Sequence, residues 1–397
     1  MSRGRPALAL GAATYLAAWA FGSRPLYTVA VGLVLAAGAA RLWVGLARAP
    51  ARLSRRLGRG EHLEGEDVWV TLELERRTRL PLGPTVVHER ISRLGERETR
   101  LHRRHGRLEG AYVLERLPRG RYVYESAEVV VEDPFGLERA AVAATAGGTI
   151  VVHPRLVELE ALFTEGGAQA RGARGLLLRR PSGFDLHSVR EHQEGESLRR
   201  VHWRSTAKRG RLMVKELEDA PRDEVGVLLD AAAAAVVGGS FETQVRAAGS
   251  LLWAHARRGR RAMLVCAGAR TETIRVGSAD RDWRPALDLL AAVEADGARS
   301  LADVLAGEGR AARAVELTVV TARLEPQVVE RLVARALSHR SVSLVYVDAG
   351  SFAGRPGRTA PALLRAQAAG VPVAVLRRGD DLRAVLGAHG TARVVHA

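Results

Sequence analysis

Two apolar stretches lie almost back to back at the start of this chain, and they constrain its fold more than any later feature. Ala7 to Phe21 carries no charge, and neither does Leu26 to Ala40, which continues past Arg41 as Leu-Trp-Val-Gly-Leu-Ala. The second stretch reaches the roughly 20 residues that span a bilayer. The first is slightly short, and alone it reads as a signal peptide. A second span follows after only Gly22-Ser23-Arg24-Pro25, so the pair predicts a transmembrane helical hairpin over residues 1–47. Arg41 is placed to snorkel to the headgroups and Trp43 to sit at the interface. Arg3 and Arg5 precede the pair, Arg48, Arg52, Arg55, Arg56 and Arg59 follow it, and the turn holds only Arg24. Positive charge on the inner side then puts both ends, and everything after residue 50, in the cytoplasm. The expected location is the plasma membrane, crossed twice, with residues 48–60 as a basic juxtamembrane linker against anionic lipid.

The 397 residues leave room for two or three domains. Over 61–155 the pattern is strand-like: Val68 to Leu74, Tyr112 to Leu114, Gly120 to Tyr124, Ala127 to Val131 and Ile150 to Val152. Leu80-Pro81-Leu82-Gly83-Pro84 and Asp133-Pro134-Phe135-Gly136 supply turns, and short strands at this spacing predict an all-β sandwich-like domain. His102 and His105 flank two arginines and read as a solvated edge rather than metal ligands.

From 223 to 397 strands alternate with helices. The expected strands are Val225–Asp230, Ala262–Ala267, Glu316–Thr321, Val342–Val347 and Val371–Leu376. Helices are expected over Phe241–Arg257, Trp283–Glu294, Glu325–Leu337 and Ala360–Ala369, with a further short helix and strand at the end. Alternation of this kind predicts an α/β doubly wound sheet, whose sites lie at the carboxyl ends of its strands. Asp230 sits at such an end, and no phosphate-cradling glycine loop follows it. The single cysteine, Cys266, excludes an intramolecular disulfide framework and reads as a small buried hydrophobe in the run Ala262 to Cys266.

The net charge of +16 is carried almost wholly by arginine. A basic balance suits nucleic acid or an anionic membrane, and the apolar pair favours the membrane. The chain's two lysines, Lys208 and Lys215, both fall in the segment Gly183–Glu218, inside a charged block over 156–222. Lysine and arginine differ in shape and donor geometry, so this placement marks the segment. Asp185, His187, His192 and His202 are zinc-ligand types at irregular spacing. Ser182, Ser188 and Ser205 lack a nucleophile-elbow glycine pattern. The reading retained is an ion-pair lattice of Arg190, Glu191, Glu196, Arg200, Arg204, Lys208, Lys215 and Glu216, anchored by Trp203 and Leu198, serving as scaffold or as a surface for an acidic partner. The acids Glu191, Glu194, Glu196, Glu216 and Glu218 would repel phosphate, which argues against nucleic acid.

These residues resemble the membrane-anchored bacterial "domain of unknown function 58" family. That family's block reads as Gly-Xaa-Xaa-Phe, Leu-Arg-Glu-Tyr, Gly-Asp, Arg-Xaa-Ile-Asp-Trp-Lys, Ser-Ala-Arg and a Val-Arg-Glu-type strand. Phe184, Arg190, Glu191, Gly195, Arg200, Trp203, Ala207 and Glu216 match it. His192 stands for the tyrosine, Glu196 and His202 for aspartates, Arg204 for the lysine and Lys208 for the arginine. The hairpin, the β region, Asp133–Leu137 and Val152-His153-Pro154-Arg155-Leu156 extend the resemblance. It implies a C-terminal domain similar to a von Willebrand factor A domain and a MoxR-type AAA+ ATPase as partner. It supplies no reaction.

Domains of the A type often hold a divalent cation through Asp-Xaa-Ser-Xaa-Ser at the top of the first strand. The run here is Asp230-Ala231-Ala232-Ala233-Ala234, with alanine at both serine positions, so the expectation is a degenerate site without metal or other cofactor. Asp230 is expected instead to cap the segment after it. The function expected is a membrane-tethered cytoplasmic adaptor working through protein–protein contacts. The alternative is a hydrolase or nuclease-like enzyme with its site in 183–218.

Overall fold

The computed structural model describes residues 4–48, 51–58, 60–76, 84–104, 107–144, 147–165, 186–191, 201, 203–217, 224–277, 282–307, 309–338, 340–355 and 361–387. The chain divides into two compact units, Met1–His153 and Pro154–Ala397.

The first unit opens with α1 (Gly4–Phe21) and α2 (Arg24–Ala47), turned at Gly22, whose φ of +62° suits glycine. The two helices pack on each other: the Tyr15 and Tyr27 rings meet edge-on at 5.2 Å, and Gly11 lies against Ala30, Leu33 and Val34. Most of their buried positions are small, among them Gly11, Ala18, Ala30 and Ala37, while Leu10, Leu16, Trp19, Leu35 and Leu42 face outward. Small residues at the seam let the two helices approach closely, with large apolar side chains outside. By length and composition α2 can cross a membrane. The 18-residue α1 is the shorter of the two and includes Arg5 and Pro6 in its first turn.

A nine-stranded sheet follows. Its strands are β1 (Ala51–Leu57), β2 (His62–Leu63), β3 (Val68–Arg76), β4 (Thr85–Ile91), β5 (Gly95–Arg104), β6 (Arg107–Leu114), β7 (Gly120–Glu132), β8 (Arg139–Ala143) and β9 (Thr149–His153). The order is β1-β3-β6-β5-β4-β7-β9-β2, with β8 on β7. β5 hands over from β4 to β6, so the sheet folds on itself around one core. Alternate residues fill that core: Val70, Leu72 and Leu74 from β3, Val87 and Ile91 from β4, Tyr122, Tyr124, Val129 and Val131 from β7. The two strand runs expected over 120–131 are one strand. Opposite Arg90 and Ile91 the register slips past Glu125, and the inward phase moves from Tyr124 to Ala127. That is a β-bulge.

The linker reading of 48–60 is corrected. Residues 51–57 form β1, paired antiparallel along β3 from Ala51–Arg76 to Leu57–Val70. The Arg55 side chain is only 7% exposed and lies 2.5 Å from Glu89, not against lipid. Four apolar or hydroxyl-bearing residues among charges did not read as a strand, but its partner β3 supplies the ladder. β4 and β5 were missed for the same reason: β5 turns only Thr99 and Leu101 inward.

The second unit is a six-stranded sheet with helices on both faces. Its strands are β12 (Val225–Asp230), β13 (Ala262–Ala267), β14 (Thr271–Val276), β15 (Glu316–Thr321), β16 (Ser341–Val347) and β17 (Val373–Leu376), in the order β14-β13-β12-β15-β16-β17. All neighbours are parallel except the edge pair β13–β14, and β14 was not foreseen. The helices are α4 (Ser240–Arg257), α5 (Trp283–Ala292), α6 (Leu301–Ala306), α7 (Arg310–Arg313), α8 (Pro326–Leu337), α9 (Ala349–Phe352), α10 (Pro361–Ala368) and α11 (Leu382–Leu386). Alternate strand residues feed two cores. Val227, Leu229, Leu264 and Val345 pack with α4 and α5; Leu228, Val265, Val319 and Leu344 pack with α6, α8 and α10. Cys266 is buried in the first, as expected. The block drawn over 156–222 is not separate at its start: Leu159, Leu162 and Phe163 lie in that same core. The last expected strand lies outside the described residues.

Candidate functional site

The sheet order creates a crevice. β12 has β13 on one side and β15 on the other, and the chain winds away from it in both directions. Between such strands the carboxyl ends leave an opening where α/β proteins place their sites. Asp230 ends β12 and Thr321 ends β15. The Thr321 hydroxyl donates to Asp230 Oδ2 at 2.6 Å, and the Ala232 N–H donates to Oδ1 at 3.1 Å. Asp230 thus makes a local turn onto Ala232; contrary to expectation it does not cap the single 3-10 turn Ala233–Ala235, whose N-cap is Ala232. Burial pushes the Asp230 carboxyl above its usual range, against the pull of both hydrogen bonds.

A cleft of about 230 Å³ opens over this pair, lined in part by Ala232, Ala234, Ser300, Arg323 and Glu325. Glu325 accepts from Ser300 Oγ at 2.8 Å and pairs with Arg323 at 2.9 Å. Both oxygens of each carboxylate therefore face protein donors. Magnesium or manganese asks for several open oxygen ligands, and this donor set does not fit one. Among the described residues no group of three His, Cys, Asp or Glu gathers as a metal site. Thr321, Ser300, Arg323 and Glu325 were not singled out in the sequence. Thr321 was visible in principle, as the last residue of the strand that becomes the neighbour of β12.

The expected interaction block forms a small element of its own. β10 (Leu186–Glu191) pairs antiparallel with β11 (Met213–Leu217), and α3 (Trp203–Arg209) precedes β11. Gly210, at φ +66°, closes α3, and Thr206 Oγ1 accepts the Met213 N–H at 3.0 Å, tying helix to strand. Val201 and Met213 are buried. Trp203 is not the expected anchor. It is 68% exposed, because α3 buries none of its residues and the apolar contacts come from Val201 and Met213 instead.

Arg204 and Lys208 share the exposed helix with Trp203, and Arg209 and Arg211 continue the basic run. Among the described residues no carboxylate pairs with Arg204 or Lys208, whereas Glu191 lies 3.5 Å from Arg211, both exposed. Arg190, Lys215 and Glu216 are placed by backbone register alone: Arg190 faces Val214, Val189 faces Lys215 and Ser188 faces Glu216. His187 lies in β10 at the register shift between Leu186 and Ser188, whereas Glu196, Arg200, Asp185, His192, His202, Ser182 and Leu198 lie outside the described residues, as does His105.

This geometry can be set beside known proteins. Residues 188–348 match the family described as Protein of unknown function DUF58. The DUF58 match begins in β10, takes in α3 and β11, crosses the crevice strands β12 and β15, and ends at Asp348 after β16. It thus holds both the exposed basic helix and the Asp230–Thr321 pair. The chain is also 24% identical over 256 residues to the uncharacterized protein YeaD of Bacillus subtilis (strain 168), over 62% of this chain and 63% of YeaD. The chain so covers less than two thirds of that relative's length.

Among solved structures, a bromine derivative of BhCBM56 is 17% identical, with a TM-score of 0.17 over 25% of this chain and 91% of its own. A conjugative transposon lipoprotein from Bacteroides eggerthii is 12% identical, with a TM-score of 0.16 over 25% of this chain and 96% of its own. Likenesses at that level carry no argument here.

Proposed function

We propose that this protein is a membrane-tethered cytoplasmic adaptor. In this reading α1 and α2 cross the plasma membrane as a hairpin with both ends inside. The α/β unit acts as a von Willebrand factor A-like domain without metal, and the strand order with its antiparallel edge β14 supports that assignment. The partner fits a MoxR-type AAA+ ATPase that offers an acidic surface.

The observation that carries the reading is α3. A tryptophan 68% exposed shares this short helix with the exposed cations Arg204 and Lys208, which no described carboxylate neutralises. Exposed charges add little to stability, and an exposed aromatic on one helix with arginine and lysine has the composition of an interface hot spot. A buried ion-pair scaffold would show the opposite pattern, with charges paired and the aromatic covered.

The test uses the full chain in detergent and a purified MoxR-type ATPase. Trp203→Ala and Lys208→Glu should each shift stability by about 0.5 kcal/mol or less, as exposed substitutions do. Each should weaken ATPase binding at least tenfold in a titration. Binding unchanged by both variants would remove the adaptor surface from α3. Unfolding of both well below wild type would make the block a scaffold.

A further inference from the structure

We propose that the turn Asp133–Glu138 is a membrane-interface wedge, with Phe135 seated among lipid headgroups beside the start of α1. The proposal rests on the membrane-tether reading above and adds a third point of contact between the first unit and the bilayer.

Phe135 is 81% exposed, as far out as any large apolar side chain among the described residues. Nothing about the turn is loose. The Asp133 carboxylate is fully buried and accepts the N–H of Phe135 at 2.8 Å and of Glu138 at 2.6 Å. The Gly136 N–H donates to the Asp133 carbonyl, and the Asp133 N–H donates to the Glu138 carbonyl, both at 3.1 Å. Gly136 takes φ +69°, which closes the turn. A buried carboxylate is spent on holding an aromatic ring in water. A ring held rigidly in its binding posture loses little freedom when it meets a partner.

Position names the partner. The Glu138 carboxylate packs on Gly4 so closely that a methyl group there would collide with it. Gly4 is the first residue of α1, and Phe135 is three residues from Glu138, within about 10 Å of chain. At the other helix, Val44 in the last turn of α2 packs in the β core. Both helix ends thus meet the same unit, and the Phe135 turn stands beside one of them. Arg5, Arg48, Arg52 and Arg139 are exposed around these ends. An aromatic ring with arginines at the level where helices leave the hydrocarbon is the composition of a bilayer interface, and the cations suit an anionic leaflet.

The test places one nitroxide at a time on the full chain, reconstituted in phosphatidylcholine and phosphatidylglycerol vesicles. The sites are Phe135→Cys, Leu35→Cys on the outward face of α2, and Trp69→Cys on the exposed face of β3; Cys266 is buried and stays. Collision rates with oxygen and with a water-soluble nickel chelate report depth. The ratio of oxygen to nickel accessibility at 135 should lie several-fold above that at 69 and below that at 35. If 35 reads as lipid and 135 reads like 69, the wedge is wrong and the tether stands. If 35 also reads as water, the tether itself fails. A label at 135 shielded from both reagents would mean a protein covers Phe135, which overturns the lipid assignment.

Discussion

In the β unit the Arg55 guanidinium enters the core with its counter-charge beside it. In the α/β unit Asp230 and His255 are buried, and among the described residues neither forms a salt bridge. Arg55 Nε lies 2.5 Å from Glu89, whose side chain is 1% exposed, and its guanidinium stacks over the Tyr124 ring at 4.4 Å. Tyr112 donates to Glu89 at 3.0 Å and its hydroxyl meets that of Tyr124 at 3.1 Å. Burial, then the neighbouring hydroxyl and carboxylate, hold the Tyr112 phenol well above its usual range, so it stays a donor. His255 instead accepts from Arg260 at 3.3 Å through Nδ1, a bond open only to the neutral ring. Burial, helped by Arg260 and Arg258 and opposed by Glu316, lowers its pKa to about 4. Burial without a salt-bridge partner moves the titration of His255 and of Asp230. The α/β unit is therefore expected to be the pH-sensitive half.

The largest effect should come from breaking the pair. Glu89→Ala leaves the Arg55 charge buried and uncompensated, at a cost of about 3–5 kcal/mol. Chemical denaturation in detergent would measure it. Arg55→Met with Glu89→Leu should recover most of the loss, since apolar replacement of a buried pair is often neutral or better. If the double variant is as unstable as the single one, the pair is net stabilising and the contrast between the units weakens.

His255 comes next. Its folded pKa lies below its unfolded value near 6.5, so its contribution is fully present above that pH and is lost as pH falls toward 4. The loss sums to about 3 kcal/mol. Asp230 runs the other way, because its raised pKa makes the folded state take up a proton first and so favours folding on acidification. His255→Gln isolates the two. Its stability should fall less between pH 7 and 4 than that of wild type, and equal slopes would contradict the lone-burial account.

The smallest effect tests the crevice. Thr321→Val keeps the shape and removes the donor to Asp230 Oδ2, which should cost about 1–3 kcal/mol. The variant should also deepen the preference for low pH, seen as a stability maximum shifted downward in a denaturation series. An unshifted maximum would mean that water replaces the hydroxyl without loss.

Much of the architecture was legible because burial on both faces leaves a mark. Val225–Asp230 and Ala262–Ala267 are unbroken or nearly unbroken apolar runs, as a parallel strand covered by helices requires, and they occur where expected. Even the bulge in β7 is written in the spacing of Tyr122, Tyr124, Ala127 and Val129. β1 and β5 were illegible, since an edge or half-solvated strand tolerates arginine and glutamate at most positions. β14 escaped for the same reason, with Thr271, Glu272 and Arg275 exposed.

The candidate sites divide in the same way. Asp230 could be singled out because the last residue of a buried strand is polar, and the block around Lys208 because its composition departs from the rest of the chain. Their surroundings could not. Thr321 reaches Asp230 across 91 residues, and Glu89 reaches Arg55 across 34, only because strand order sets β15 beside β12 and β4 across from β1. The exposure of Trp203 was decided in the same place. A short helix has no apolar stripe to declare its inner face, and which side meets the body depends on where β10 and β11 hold it. Local sequence determines which residues want burial. Pairing between distant segments decides which of them obtain it, and with whom.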